Sequence, residues 1–239
     1  MKLLTLEEPR ALEQAIATMQ RGGIVAFPTD TVYGIGASLN YPDALERIFQ
    51  IKHRDRDRTL PLLVSSPAEL DRVTEYVDPA LLRLASAFWP GPLTIALPAR
   101  PGLPAHVVAA DNTVGVRVPD HSVALILAQR CGGAIAVTSA NLSGQLPARR
   151  PDDIDPALAD ELDLILDGGI ARGGLASTVI RHEGDTISVI REGAISSAAI
   201  EAAWLRLRAG QSGQIGGGIA GDPTAVGSPV EKTGVKAET

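Results

Sequence analysis

Two hydrophobic periods alternate along the chain and predict alternating helices and strands. Leu12, Ile16 and Met19 recur at helical spacing, and a short apolar run over residues 24–27 ends at Pro28, as in a buried strand. Similar patterns predict helices that begin at residue 42, after a capping box at 66–69, and over 79–88, 123–130 and 198–207. Further strands are predicted over 62–64, 93–97, 114–118, 134–137, 162–166, 178–180 and 187–190.

This interleaving predicts an α/β fold of the α+β type, with helices layered against a mixed sheet, over residues 1–209. From residue 210 onward the composition changes, because eight of the 24 glycines fall in the last 30 residues and large apolar side chains are almost absent. Such a segment cannot bury enough surface to fold alone. Residues 210–239 are therefore predicted to be a disordered tail, with a mobile cover over a site as the alternative.

Composition bounds the class of protein. The 239 residues are 45% hydrophobic and 21% charged, which is enough to build a full core. The formal net charge of -6 argues against a general nucleic-acid coat, so an anionic partner must meet a local basic patch. A single cysteine, Cys131, excludes an internal disulfide. The early acidic residues and the lack of an apolar run of roughly 18 residues favour a soluble, cytoplasmic protein without a membrane partner.

The strongest local basic patch is the segment Lys-His-Arg-Asp-Arg-Asp-Arg over residues 52–58. If this segment is extended, Lys52, Arg54, Arg56 and Arg58 lie on one face and form a site for an anion. If it is the frayed end of a helix, only Arg54 and Arg58 share a face. A solvated surface with screened ion pairs is the third interpretation.

Polar residues also follow several predicted strands. These groups are residues 28–34, Arg117, residues 138–144, the glycine-rich residues 167–178, and Arg191. Hydroxyl, amide and guanidinium groups at strand ends are typical of ligand sites in α/β proteins, although singly they are more often turn formers. Together with the basic segment, they indicate a polar site of nucleotide size.

The motifs that the sequence lacks argue against several classes of enzyme. The sequence has neither a P-loop nor a dinucleotide-binding glycine pattern, and none of its histidines, His53, His106, His121 and His182, stands beside a nucleophile elbow. We therefore expect catalysis by positioning and charge neutralisation.

Six ordered motifs resemble those of the YrdC/Sua5 family, over residues 12–195. They are PTDTVYG at 28–34, the Lys52-x-Arg54 pair followed by Pro-Leu at 61–62, WPGPLT at 89–94, VRVPDH at 116–121, TSANLSG at 138–144, and DGG at 167–169 followed by STV at 177–179. The resemblance implies a YrdC/RibB-like three-layer fold with a twisted mixed β-sheet flanked by helices around a basic cleft.

The resemblance also implies an activity. Members of the family condense L-threonine, bicarbonate or CO2, and ATP into threonylcarbamoyl-AMP and pyrophosphate, the first step toward the t6A base at position 37 of tRNA. Mg2+ is expected through the ATP phosphates, with no metal ligands from the protein. The implied partners are a downstream threonylcarbamoyl transferase complex and tRNA itself.

By resemblance, individual residues acquire roles. Lys52 and Arg54 would be catalytic. The ATP-binding residues would be Arg54, Arg58, Thr113, Ser139, Asn141, Pro147 and Arg191. The threonine-binding residues would be Thr31, Arg117, Val137 and Ser177, with Val137 acting through its main chain. Two positions depart from the family pattern: Asp55 replaces a frequent proline after the Lys-x-Arg pair, and Leu63 occupies a position that can be histidine in longer relatives.

Other functions remain as alternatives. The basic segment also suits a non-catalytic module that binds double-stranded RNA or tRNA, but aromatic residues for stacking make up only 3% of the chain and the net charge is acidic. A paralogue without threonine chemistry conflicts with the intact Lys52/Arg54 pair and TSANLSG motif. A carbamoyl-adenylating relative would need partner domains.

Overall fold

The computed structural model describes residues 2–212, with side chains as far as residue 209. This range contains ten strands and six α-helices. The strands are β1 (Leu3–Thr5), β2 (Val25–Phe27), β3 (Gly34–Ser38), β4 (Leu62–Val64), β5 (Leu93–Pro98), β6 (Thr113–Arg117), β7 (Ala134–Ser139), β8 (Leu164–Asp167), β9 (Thr178–Glu183) and β10 (Thr186–Arg191). The helices are α1 (Ala11–Met19), α2 (Pro42–Ile51), α3 (Pro79–Ser86), α4 (Ser122–Arg130), α5 (Pro156–Asp160) and α6 (Ser197–Ser212).

All ten strands belong to one mixed sheet, in the order β1-β8-β2-β3-β7-β4-β6-β5-β9-β10. The β1/β8, β8/β2, β4/β6 and β5/β9 pairs are parallel, and the other five pairs are antiparallel. Six of the nine neighbouring pairs join strands that are not consecutive in sequence, so residues distant in the chain meet at the centre of the sheet. The predicted mixed sheet is confirmed.

The two faces of the sheet carry separate cores because side chains alternate along each strand. In β2, Val25 and Phe27 pack with α1 and α4, whereas Ala26 packs on the opposite face with α2, α3 and α6. Helices thus cover both faces, and the predicted three-layer arrangement is confirmed.

Most predicted elements are present, and one is corrected. The capping box at 66–69 does not form, because the Ser66 side chain makes no cap hydrogen bond and Glu69 instead pairs with Arg72. The residues that follow form a short 3-10 helix, Pro67–Arg72. The predicted tail boundary falls inside α6, and residues 213–239 lie outside the described residues.

Strand β3 was not predicted, since its sequence, Gly-Ile-Gly-Ala-Ser, has little β-propensity. Its glycines are required by close packing against β7. A Cβ atom at Gly34 would lie 2.8 Å from a methyl group of Val137, and one at Gly36 would lie 2.8 Å from the carbonyl oxygen of Ala136. The small residues therefore bring β3 next to β7 at the edge of the site.

Candidate active site

A cleft lies over the face of the sheet that also carries α1 and α4. Leu63 is paired with Arg117 across β4 and β6 and with Ile135 across β4 and β7, so the side chains of Leu63, Arg117 and Val137 point to this face. The sequence placed the ligand beyond the strand ends, whereas the structure makes the sheet itself the floor of the cleft. The rims come from Thr29, residues 31–34, the loops at 138–144 and 176–177, and four cations, Lys52, Arg54, Arg58 and Arg191.

Lys52 lies where α2 ends, and its side chain is almost fully buried beneath the cleft. Its Nζ donates to the carbonyl oxygen of Ser139 at 2.5 Å and to that of Asn141. Burial and the neighbouring charge of Arg54 lower the pKa of Lys52 to about 7. The Lys52 side chain can therefore change between ammonium and neutral amine near neutral pH.

The basic segment adopts neither predicted conformation. Residues 52–58 form consecutive turns, with His53 in the left-handed region at φ 48°. Arg54 and Arg58 line the cleft, but Arg56 lies outside it and pairs with Glu46. The even spacing of the four cations is therefore not what makes the site.

Three guanidinium groups join Lys52 at the cleft. The Arg54 side chain is held by backbone, donating from Nε to the carbonyl of Arg58 at 2.7 Å and from Nη2 to that of Thr59 at 3.0 Å. Burial, then the charges of Arg58 and Arg191, lower the pKa of Arg54 to about 10. Burial, then Arg58 and Arg117, also lower the pKa of Arg191. We call Lys52, Arg54, Arg58 and Arg191 the cationic wall.

No aspartate or glutamate lines the cleft in the part of the chain that the structure describes. Like charges that are partly buried together without a carboxylate between them are costly in the absence of a ligand. The cationic wall is therefore arranged to receive a multiply charged anion.

A second cluster faces the cationic wall. Arg117 is buried, and its Nη2 forms an ion pair of 2.5 Å with Asp30, whose side chain is only 12% exposed. Its Nε donates to Gly91 O at 2.9 Å, and its Nη1 donates to Thr31 Oγ1 at 3.1 Å. Burial lowers the pKa of Arg117, while Asp30 acts in the opposite direction. We call Asp30, Thr31 and Arg117 the paired corner.

Ser177 contacts both Thr94 and Arg191 at the cleft. Its hydroxyl lies 2.8 Å from the hydroxyl of Thr94, and both side chains are buried. Arg191 donates from Nη2 to the Ser177 carbonyl at 2.8 Å and reaches its hydroxyl at 3.4 Å. A pair of buried hydroxyl groups thus lies beside Arg191.

The loop after β7 is organised by Asn141. Its Nδ2 donates to the carbonyls of Leu142 and Gln145 at 2.8 Å each, and its Oδ1 accepts from the Ser139 hydroxyl at 2.5 Å. These bonds fix the backbone whose carbonyls hold Lys52. Asn141 therefore supports the cationic wall through the loop.

The structure brings ten of the twelve predicted site residues together along the cleft: Lys52, Arg54, Arg58, Ser139, Asn141, Arg191, Thr31, Arg117, Val137 and Ser177. Thr113 and Pro147 do not line it. Thr113 begins β6, four positions and roughly 13 Å from Arg117 at the usual strand rise. Its hydroxyl donates to Asp111 at 2.7 Å. Pro147 lies half-buried in the loop that follows Gly144.

Sequence reasoning assigned no role to three residues that line the cleft, Thr29, Tyr33 and Thr94, or to Asp30, which pairs with Arg117. Each lies inside a motif, but only the fold reveals its contacts. The Tyr33 hydroxyl donates to Gly169 O at 2.8 Å and accepts from Gly168 N at 3.0 Å, and burial raises its pKa to about 12. Tyr33 thus ties the loop after β2 to the glycine-rich loop.

Within residues 2–212, no group of three or more histidine, cysteine, aspartate or glutamate side chains could hold a metal ion. No helix in this range is long and apolar enough to cross a membrane. Cys131 is buried against α1 and α4, and burial raises its pKa to about 11.

The mixed ten-stranded sheet and the cationic wall define an α/β protein with an anion-binding cleft on one face of the sheet. Residues 17–193 match the model of the Sua5/YciO/YrdC family, which carries the description "Telomere recombination". The chain belongs to this family.

Named relatives and solved structures agree with this membership. The chain is 36% identical over 200 residues to the threonylcarbamoyl-AMP synthase of Bacillus subtilis, covering 83% of this chain and 58% of the relative. It is 35% identical over 186 residues to the protein of the same name from Xanthomonas campestris, covering 76% of this chain and 97% of the relative. The chain thus spans about three-fifths of the first relative and nearly all of the second.

Among solved structures, Pyrococcus abyssi Sua5 complexed with L-threonine aligns with a TM-score of 0.78 and 32% identity, covering 84% of this chain and 60% of that one. Escherichia coli YciO aligns with a TM-score of 0.74 and 28% identity, covering 83% and 98%. The YrdC-like fold predicted from the sequence is confirmed.

Proposed function

We propose that this protein is a threonylcarbamoyl-AMP synthase, which joins L-threonine, bicarbonate or CO2, and ATP into threonylcarbamoyl-AMP and pyrophosphate. The observation that carries the proposal is the cleft itself, where the cationic wall faces the paired corner. One side suits a triphosphate and the other a small zwitterion. The names of the B. subtilis and X. campestris relatives support the same activity.

The cationic wall is the proposed site for the ATP phosphates. Guanidinium groups bind phosphate oxygens in a planar, bidentate manner, and an ammonium acts as a compact point charge. Arg54, Arg58 and Arg191 would hold the triphosphate, and Lys52 would lie against the reacting phosphate. Mg2+ would arrive bound to the triphosphate and neutralise part of its charge.

The paired corner is the proposed site for threonine. Arg117 has five N–H donors, and its contacts with Gly91, Thr31 and Asp30 use three of them. The two that remain can bind the substrate carboxylate. Ser177 and the main chain at Val137 would complete this subsite.

Ser139 and Asn141 are proposed to contact the nucleotide from the loop after β7. The roles of Thr113 and Pro147 stay predictions, and they require the nucleoside to extend beyond the cleft.

The proposed reaction joins two anions. The threonine amine first captures CO2 as a carbamate. A carbamate oxygen then attacks the α-phosphorus, and the bond from this phosphorus to the bridging oxygen of pyrophosphate breaks. Repulsion between the carbamate and the triphosphate opposes this approach, and the cationic wall offsets it without forming a covalent bond.

The product is a mixed anhydride, which is an activated acyl donor. We propose that a downstream threonylcarbamoyl transferase complex consumes it in modifying tRNA. Among residues 2–212, no contact specifically favours the alternative of a non-catalytic RNA-binding module.

The direct test incubates the purified protein with ATP, L-threonine, bicarbonate and Mg2+. We expect pyrophosphate and threonylcarbamoyl-AMP by mass spectrometry, and neither when threonine is omitted. Absence of the product with all four components present would overturn the assignment. Threonine-independent pyrophosphate release would indicate an unrelated ATP pyrophosphatase.

A further inference from the structure

Residues 55–58 form a tight turn beside the cleft, and two hydrogen bonds to Asp55 close it. The Asp55 carbonyl oxygen accepts from the backbone amide of Arg58 at 3.1 Å, and Asp55 Oδ1 accepts from the amide of Asp57 at 3.1 Å. Both donors are backbone N–H groups, so the direction of each bond is fixed. Aspartate is favoured at the first position of such a turn, because its short side chain reaches the amide two residues on.

The same turn holds the side chain of Arg54, which lines the cleft. Arg54 donates from Nε to the carbonyl oxygen of Arg58 at 2.7 Å and from Nη2 to that of Thr59 at 3.0 Å. The first of these carbonyls belongs to the last residue of the turn, so the shape of the turn sets the position of the Arg54 guanidinium. Three of the five N–H groups of Arg54 remain for a ligand.

The charge of Asp55 has no comparable use. The residue stands between Arg54 and Arg56 in the chain, but within residues 2–209 its carboxylate forms no ion pair and bonds to a backbone amide instead. Asp55 is exposed, and a negative charge next to the cationic wall repels an anionic ligand. The carboxylate therefore opposes anion binding through its charge and supports it through the turn.

Asp57 separates these two effects within the same segment. It is exposed like Asp55, and its carboxylate makes no hydrogen bond or ion pair in the part of the chain whose side chains are described. Its backbone amide is the donor that Asp55 binds. The two aspartates thus bring the same charge to the segment, but only the side chain of Asp55 closes the turn.

We propose that Asp55 is a positioning residue, whose carboxylate closes the turn that directs Arg54 toward the ATP phosphates. The inference rests on the proposed function, because it concerns how the cleft holds this nucleotide. A guanidinium binds phosphate best when its planar fork meets the oxygens in a bidentate arrangement. Opening the turn therefore weakens ATP binding even though every cation of the cationic wall is still present.

The test uses substitutions of Asp55 that separate its charge from the turn. Asp55→Asn removes the charge but keeps an acceptor for the Asp57 amide, whereas Asp55→Glu keeps the charge on a longer side chain that does not close the turn. We expect Asp55→Glu to weaken ATP binding roughly 3- to 10-fold, which is the scale of one hydrogen bond. Asp55→Asn should bind ATP as tightly as wild type, or up to about 3-fold more tightly, because a repelling charge is removed. Calorimetry with ATP measures both affinities.

Two further variants are matched for charge. Asp57→Asn removes the same charge without changing a side-chain hydrogen bond, so its ATP affinity should equal that of Asp55→Asn within about 2-fold. Asp55→Ala is as uncharged as Asp55→Asn but lacks the acceptor, so it should bind ATP less tightly than Asp55→Asn. This last comparison decides the question even if Asp55→Glu does not fold. The affinity for L-threonine should change by less than about 2-fold in all four variants, because the turn lies on the side of the cationic wall.

A double-mutant cycle with Arg54→Ala shows whether Asp55 acts through Arg54. If it does, Asp55→Glu should change ATP binding by less than about 2-fold when residue 54 is already alanine. A general structural role would cost the same factor in both backgrounds, and that result would overturn the inference. Equal ATP affinities of Asp55→Asn and Asp55→Ala would overturn it as well, since only charge would then matter.

The wild-type protein separates this inference from the proposed function. Wild-type protein that binds ATP and forms threonylcarbamoyl-AMP, together with Asp55 variants that all bind ATP equally, would overturn the inference and leave the proposed function intact. Wild-type protein that does not bind ATP would overturn the proposed function and the role of Asp55 with it.

Discussion

The cationic wall and the paired corner use the same kind of side chain in opposite electrostatic states. In the cationic wall no carboxylate of the described residues lines the cleft beside the positive groups, and burial, followed by neighbouring positive charge, lowers the pKa of Lys52, Arg54 and Arg191. In the paired corner Asp30 already neutralises Arg117 at 2.5 Å, in surroundings where both side chains are largely buried. The first region therefore needs the charge of its ligand, whereas the second is satisfied before a ligand arrives.

The two regions should therefore bind their ligands through different kinds of interaction. An unpaired cluster binds an anion mainly through charge, so its contribution changes with the protonation state, the ligand charge and salt. A neutralised corner contributes through the direction of its donors and acceptors. Under the proposed function, the two regions would bind a highly charged nucleotide and a net-neutral zwitterion at adjacent positions of one cleft.

The largest expected effect is the loss of Lys52. The Lys52→Ala substitution removes the ammonium and leaves the carbonyls of Ser139 and Asn141 without their donor. We expect the rate of threonylcarbamoyl-AMP formation to fall roughly 10²–10³-fold, as for the loss of one electrostatic group at a reacting centre. Threonine-dependent pyrophosphate release measures this rate.

Arg56→Ala is the matched control, since it removes a positive charge from the same segment but outside the cleft, where Arg56 pairs with Glu46. Its activity should stay within about 2-fold of wild type, as expected of a surface ion pair. Similar losses in both variants would mean that the net charge of the segment matters and the cleft geometry does not.

The second largest expected effect is that two substitutions each weaken the binding of a different ligand. Arg54→Ala should weaken ATP binding roughly 10- to 100-fold and leave threonine binding nearly unchanged, because charged hydrogen bonds are worth about 1.5–3 kcal/mol. Thr31→Ala should mainly weaken threonine binding. Calorimetry with each ligand alone tests both, and parallel losses of the two ligands in both variants would remove the distinction between the two regions.

Much of the cationic wall could be predicted from the sequence, but its shape could not. Lys52, Arg54 and Arg58 are close in the chain and stand in one recognisable motif. Their alternating pattern suggested an extended face, which is wrong because α2 ends at Ile51 and the chain then turns. The C-terminal end of that helix buries Lys52 and turns Arg56 outward, and spacing alone does not show this.

The paired corner was harder to predict because its partners are distant in sequence. Arg117 and Thr31 were expected by resemblance, but the ion pair with Asp30 joins residues 87 positions apart. Strand order brings them together, and the glycine-rich β3 that contributes to this order has almost no strand signal.

The number of protons taken up on ligand binding should also distinguish the cationic wall from the paired corner. Lys52, with a pKa of about 7 in the free protein, is mostly neutral at pH 8, and a bound triphosphate favours its charged form. ATP binding should then take up as much as about one proton and weaken as pH rises from about 7 to 9, by at most about 10-fold per pH unit. Threonine binding should show neither effect between pH 7 and 8 if it depends on the paired corner, because the amino group of threonine itself loses its proton only at higher pH.

Calorimetry of ATP binding at pH 8, in buffers with different ionisation enthalpies, gives the number of protons taken up. Lys52→Met, which keeps much of the side-chain volume, should abolish the uptake. Undiminished uptake in Lys52→Met would assign the proton to another group or to the nucleotide itself.

The smallest expected effect is the response to salt. Added salt screens the attraction between the partly exposed cationic wall and a triphosphate, so the dissociation constant of ATP should rise several-fold between low and moderate ionic strength. L-threonine is a net-neutral zwitterion, and the charge of Arg117 is already balanced by Asp30. Its dissociation constant should change by less than about 2-fold over the same range.

Asp30→Asn provides the reverse experiment, because it removes the balancing charge but keeps an acceptor near Arg117. Threonine binding should become more sensitive to salt in this variant, as the corner acquires the unpaired character of the cationic wall. If threonine binding in the wild type is as salt-dependent as ATP binding, the paired corner binds its ligand through net charge, and the proposed difference between the two regions is wrong.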